Sequence, residues 1–264
     1  MKKRIILLLS IFFVLMCNGV ISNVYSLNYN IGVRQDENII WKCRLCNNAE
    51  MDTIFETGWD NSGIFANLSK GTRMKWKINS TKINNSIITI HYDIWNWNFN
   101  QEWGAKDNTS QIEIYVNPTA YPTNLSFLNY TSLVPFLLPI PIGEYMGGLS
   151  IRLNEWYDVD NRVLPTINVE IVKDSISPGY PNKNIKIIAI YNDYGVLNSY
   201  KLYGKDNTVI IDISLDFLPF YVIPTLIILV AAFSLGLAYY LFRNRIQITY
   251  PRRNNDKKKN ITTN

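Results

Sequence analysis

The chain has 264 residues, 47% of them hydrophobic, and a formal net charge of +5. The location of that charge along the chain excludes a nucleic-acid partner: residues 27–217 carry sixteen Lys/Arg against twenty Asp/Glu, a net −4, and the basic excess sits at the two ends. Between two terminal apolar runs lie about 190 residues, enough for one medium domain with its own core.

Lys2-Lys3-Arg4 followed by the apolar run Ile5 to Met16 has the n-region and h-region of a secretory signal, expected to end near Ser26. At the other end, Phe220 to Phe242 carries no charged residue and is followed by Arg243, Arg245, Arg252, Arg253 and Lys257-Lys258-Lys259. That pattern predicts a C-terminal transmembrane helix with its basic flank in the cytoplasm. The expected organisation is a signal peptide over 1–26 and an extracytoplasmic β-rich domain over 27–217. A transmembrane helix over 218–242 and a short basic cytoplasmic tail over 243–264 complete it. The expected location is the cell membrane, single-pass, with the body outside.

Strand signals dominate the body. Ile39 to Leu45 alternates Trp41, Cys43 and Leu45 with Lys42 and Arg44, and Met74 to Ile78 alternates the same way. Ser86 to Trp97 places Ile88, Ile90, Tyr92 and Ile94 on one face. Further strands are expected around Ile112–Val116, Ile167–Ile171, Ile185–Tyr191, Ser199–Tyr203 and Val209–Leu215. Asp193-Tyr194-Gly195 and Gly204-Lys205-Asp206-Asn207 supply turns between the last three. Asn117 to Pro141, with five prolines, reads as an irregular connection. One helix is expected from about Ile142 to Tyr157, weakened by Gly147-Gly148. The fold class is therefore mainly β, an antiparallel meander or half-barrel with one packed helix.

The order of Ile31-Gly32-Val33, Ile40-Trp41-Lys42, Trp95-Asn96-Trp97, Pro139-Ile140-Pro141 with Glu144-Tyr145, and Tyr191 to Leu197 resembles that of uncharacterised archaeal single-pass cell-surface proteins. The resemblance implies a signal peptide, a β-rich ectodomain and a C-terminal transmembrane helix. It brings no activity and no functional residue with it.

Cys43 and Cys46 are close enough in sequence to suggest a local disulfide in an oxidising compartment. Residues three apart in an unbroken strand point to opposite faces, so a bridge requires the strand to end near Arg44. A redox pair wants a helix N-terminus, whereas a strand precedes this one and Asn47-Asn48 follows. Zinc would need two further ligands.

His91, the one histidine, shares a strand face with Asp93, Trp95 and Trp97, and no Gly-x-Ser-x-Gly elbow accompanies it. Tyr92, Trp95, Trp97, Phe99 and Trp103 form the densest aromatic group: a ligand platform if solvent-facing, core if facing inward. Glu155, Asp158, Asp160 and Asn161 lie together but lack the spacing of a calcium loop. Asn-x-Ser/Thr triplets at Asn67, Asn79, Asn84, Asn108, Asn124 and Asn129 suit an exported glycoprotein.

No catalytic residue, cofactor or metal is expected from these patterns. The leading expectation is a membrane-anchored cell-surface binding or structural module, with the bilayer and an external glycan, lipid or protein as partners. The alternatives are a tethered carrier of a lipid or other apolar ligand in a half-barrel, and a surface glycan hydrolase.

Overall fold

The computed structural model describes residues 28–99, 102–216 and 222–248, with side chains of the last segment described over 227–240. The expected signal peptide and most of the basic tail lie outside the described residues. The chain divides into two compact units, Met1–Asp216 and Phe217–Asn264.

The first unit is built on nine strands: β1 (Asn38–Cys46), β2 (Arg73–Asn84), β3 (Ile87–Asn98), β4 (Asn108–Tyr115), β5 (Tyr157–Asp160), β6 (Thr166–Ile171), β7 (Ile185–Tyr191), β8 (Leu197–Tyr203) and β9 (Val209–Leu215). They form one antiparallel sheet in the order β4-β3-β2-β1-β9-β8-β7-β6-β5. Two meanders are thus joined where β1 pairs with β9, the first strand closing on the last. The alternation read in the sequence is the alternation of burial. Every second residue of β7, from Ile185 to Tyr191, is buried, and Ile88, Ile90 and Tyr92 of β3 are buried on the same side.

Two helices accompany the sheet rather than one. Helix α1 (Asn48–Phe55) was not expected; Asn47 caps it by accepting from the Glu50 backbone N–H at 3.3 Å, and it buries Met51 and Ile54. Helix α2 (Ile142–Ser150) stops well before Tyr157, and the residues after it turn into the short strand β5. The expected helix to Tyr157 is corrected accordingly: only Ile142, Tyr145, Met146 and Leu149 form its buried face.

The segment expected as a plain connection covers the core. Residues 132–139 are buried without a break, although they form no strand or helix. Such a segment survives in an interior only if its peptide groups find partners. They do. Ser132 Oγ donates to the Val134 carbonyl at 2.6 Å, Tyr157 Oη to that of Leu133 at 3.0 Å, and Tyr191 Oη to that of Pro135 at 2.7 Å. The Leu197 N–H donates to the Phe136 carbonyl and the Leu138 N–H to that of Gly195. Phe136 then packs edge to face on Trp41, which packs the same way on Trp76, with centroids 5.0 and 5.1 Å apart.

The second unit contains helix α3 (Val222–Ile248), 27 residues long. Here the expected transmembrane helix is corrected: among the described residues no helix is long and apolar enough to cross a membrane. The helix also runs on through Arg243, Asn244, Arg245 and Gln247, so its length is not one apolar span. Phe220 and Tyr221, at the start of the expected span, lie outside the described residues.

Candidate functional site

A β-bulge divides the aromatic group of β3. Arg73 pairs with Asn98 but Lys75 with Trp95, so β3 holds one more residue than β2 over that stretch. The extra residue reverses the facing of the residues after it. Trp97 joins the main core, 2% exposed, with its indole N–H donating to the Ile64 carbonyl at 2.7 Å. Trp95 is also buried, 8% exposed, but lies outside that main cluster. Lys75 Nζ covers its ring at 3.5 Å from the centroid and lies 4.9 Å from that of Trp103, while the Trp95 indole N–H reaches the Gly104 carbonyl. Trp103 is half-buried and Phe99 is 70% exposed. The five aromatic residues singled out in the sequence therefore do not share one surface.

His91 lies half-buried in β3 between Ser80 of β2 and Gln111 of β4. Its neighbour Asp93 is the more constrained group. Lys106 Nζ, Thr109 Oγ1 and Asn79 Nδ2 all donate to Asp93 Oδ1, at 2.7, 2.8 and 2.9 Å. Led by the Lys106 ammonium, these donors hold the carboxyl down at about 2. They also occupy the Asn79 amide nitrogen, the atom a glycan would need. The other five triplet asparagines, Asn67, Asn84, Asn108, Asn124 and Asn129, are exposed.

Asp160, from the acidic group after α2 that lacks calcium-loop spacing, is engaged by Arg162 Nη2 at 2.7 Å. Among the described residues no group of three or more His, Cys, Asp or Glu side chains converges on a metal position. Cys43 and Cys46 are free thiols, the first buried and the second half-buried.

The site that the structure assembles draws on parts the sequence left scattered. An open cleft of about 460 Å³ lies over the β3–β4 end of the sheet. One wall is the 3-10 turn Gly63–Phe65 with Asn61 and Ser62 before it; the other is residues 129–132 with Phe136. These walls touch, since a side chain on Gly63 (φ 71°) would run into Thr131. Tyr92, Ile94 and Asn96 of β3 and Asn108, Ser110 and Ile112 of β4 form the floor, with Trp76 beside them. Trp76 and Tyr92 stack at 4.2 Å, and the Trp76 indole N–H is buried without meeting a protein acceptor. Burial raises the Tyr92 and Tyr130 hydroxyls, Tyr130 to about 12, so both stay neutral donors near neutral pH.

The lining combines aromatic side chains with neutral amides and hydroxyls, and among the described residues no Asp, Glu, Lys, Arg or His belongs to it. Only Tyr92 was expected as a ligand residue; Asn108 and Asn129 were singled out as glycosylation acceptors. The rest comes from five separated segments that only the folded sheet brings together. Comparison with protein-family models, with curated proteins and with solved structures finds no match in any of the three.

Proposed function

We propose that the β-unit is an exported, non-catalytic binding module, and that its cleft takes a neutral polyhydroxylated ligand, most naturally a glycan. The observation that carries this reading is the chemistry of the lining. Aromatic surface matches the apolar C–H face of a sugar ring, and Asn96, Ser110, Gln111, Asn129 and Thr131 offer donors and acceptors without charge.

The same chemistry argues against glycan hydrolysis at this place. That reaction uses a pair of carboxylates flanking the scissile bond, and among the described residues the cleft contributes none. An exported setting is supported by Lys2-Lys3-Arg4 and the apolar run after them. Probing the full chain against an array of neutral and acidic oligosaccharides tests the proposal. Retention of neutral members that is lost in Asn96→Ala/Asn129→Ala supports it. Retention confined to acidic members, or unchanged in that variant, defeats it.

A further inference from the structure

A second site lies at the end of β1, away from the cleft, and it is made by a bulge. Cys43 pairs with Ile213 of β9 whereas Leu45 pairs with Asp212, so Arg44 is an extra residue in β1. In an unbroken strand, residues three apart point to opposite faces. The extra residue changes that count by one and brings Cys43 and Cys46, paired with Ile213 and Ile211 of β9, to the same side.

The chain then turns directly into α1, with Cys46 immediately before the Asn47 cap. A position before a helix N-terminus favours negative charge. Burial separates the two sulfurs. Cys43 is fully buried, its Sγ 3.3 Å from the Leu45 carbonyl oxygen. Cys46 is half-buried and opens onto a shallow cleft shared with Asn47, Ser69, Lys70 and Val209.

We propose that Cys43 and Cys46 form a redox-active dithiol, in which Cys46 attacks a small organic disulfide and Cys43 closes the pair. In the first step the Cys46 thiolate bonds to one sulfur of the disulfide R–S–S–R, whose S–S bond breaks and releases RS⁻. In the second, Cys43 gives up its proton and bonds to Cys46 Sγ, and the second RS⁻ leaves. Two protein thiols are oxidised and one disulfide is reduced to two R–SH, the two thiol protons ending on the released thiolates. Exposure assigns attack to Cys46, which opens onto the cleft with its thiol donating to Asn48 Oδ1 at 3.0 Å, whereas Cys43 is fully buried. In keeping with this, the neighbouring Cys43 lowers the Cys46 thiol, while Cys46 and burial raise that of Cys43.

The test uses the full chain with Cys17→Ser, so that only this pair remains, treated with oxidised glutathione and read by intact and peptide mass spectrometry. The parent is expected to end as a Cys43–Cys46 disulfide without retained glutathione. Cys43→Ala should hold one glutathione on Cys46, and Cys46→Ser should react at least about 100-fold more slowly. A parent that retains glutathione on Cys46 beside a free Cys43, or that does not react, overturns the proposal. So does a Cys46→Ser chain that reacts as fast as the parent.

Discussion

The hydroxyl of Tyr191, on β7, donates across 2.7 Å to the carbonyl of Pro135, in a buried segment 56 residues earlier that has no regular structure. Tyr191 is itself 1% exposed, so its hydroxyl and that carbonyl have each other in place of water. Tyr191→Phe keeps the ring and orphans the carbonyl, which costs about 1–3 kcal/mol. Urea unfolding of the two proteins reads this directly. A loss below a few tenths of a kcal/mol would mean that the segment 132–139 does not depend on this tether.

Gly195 sits at φ 71°, and a Cβ there would run into the Leu138 carbonyl oxygen. Both the left-handed backbone and the close approach require glycine. Gly195→Ala is expected to destabilise the fold by more than about 1 kcal/mol. Thermal unfolding with an unchanged midpoint would contradict the account of how the β7–β8 turn receives the covering segment.

The bulge in β3 predicts unequal consequences for two tryptophans only two residues apart. Trp97→Ala empties core volume and should cost about 3–5 kcal/mol. Trp95→Ala removes a ring that is buried but lies outside the main core cluster, beneath Lys75, and should cost at least about 1 kcal/mol less. Equal losses would mean that the two rings share one environment.

Asp93 provides a pH signature. Its carboxyl is held at about 2 by Lys106, Thr109 and Asn79, below an unfolded value of about 4. A depressed folded pKa stabilises the fold above the unfolded value, and that stabilisation is lost as pH falls from about 4 to about 2. The parent should therefore lose stability through this window more steeply than Asp93→Asn. Parallel melting curves for the two across it would remove the effect.

The strands were legible where burial follows strict alternation. Val209–Leu215 and Ile185–Tyr191 have the bounds that their apolar pattern indicates. Helix α1 had a local signal, Asn47 with Glu50 three residues on, but it is only eight residues long and buries just Met51 and Ile54. The facing of Trp97 was not legible, because one extra residue in a pairing reverses it and pairing is a property of two strands. The cleft was illegible for a similar reason. Asn61, Asn96, Ser110 and Asn129 carry no mutual spacing in the chain, and only the β2-β3-β4 meander and the covering segment place them around one space.

The central claim is that this space binds an uncharged polyhydroxyl ligand. Isothermal titration of the full chain with the best-retained neutral oligosaccharide, at low and high salt, tests it most directly. The account predicts saturable binding whose affinity is unchanged by salt, because no ion pair contributes to the lining, and that weakens at least about 10-fold in Asn96→Ala/Asn129→Ala. Absence of binding by any neutral oligosaccharide, or an affinity that collapses with salt, would contradict it.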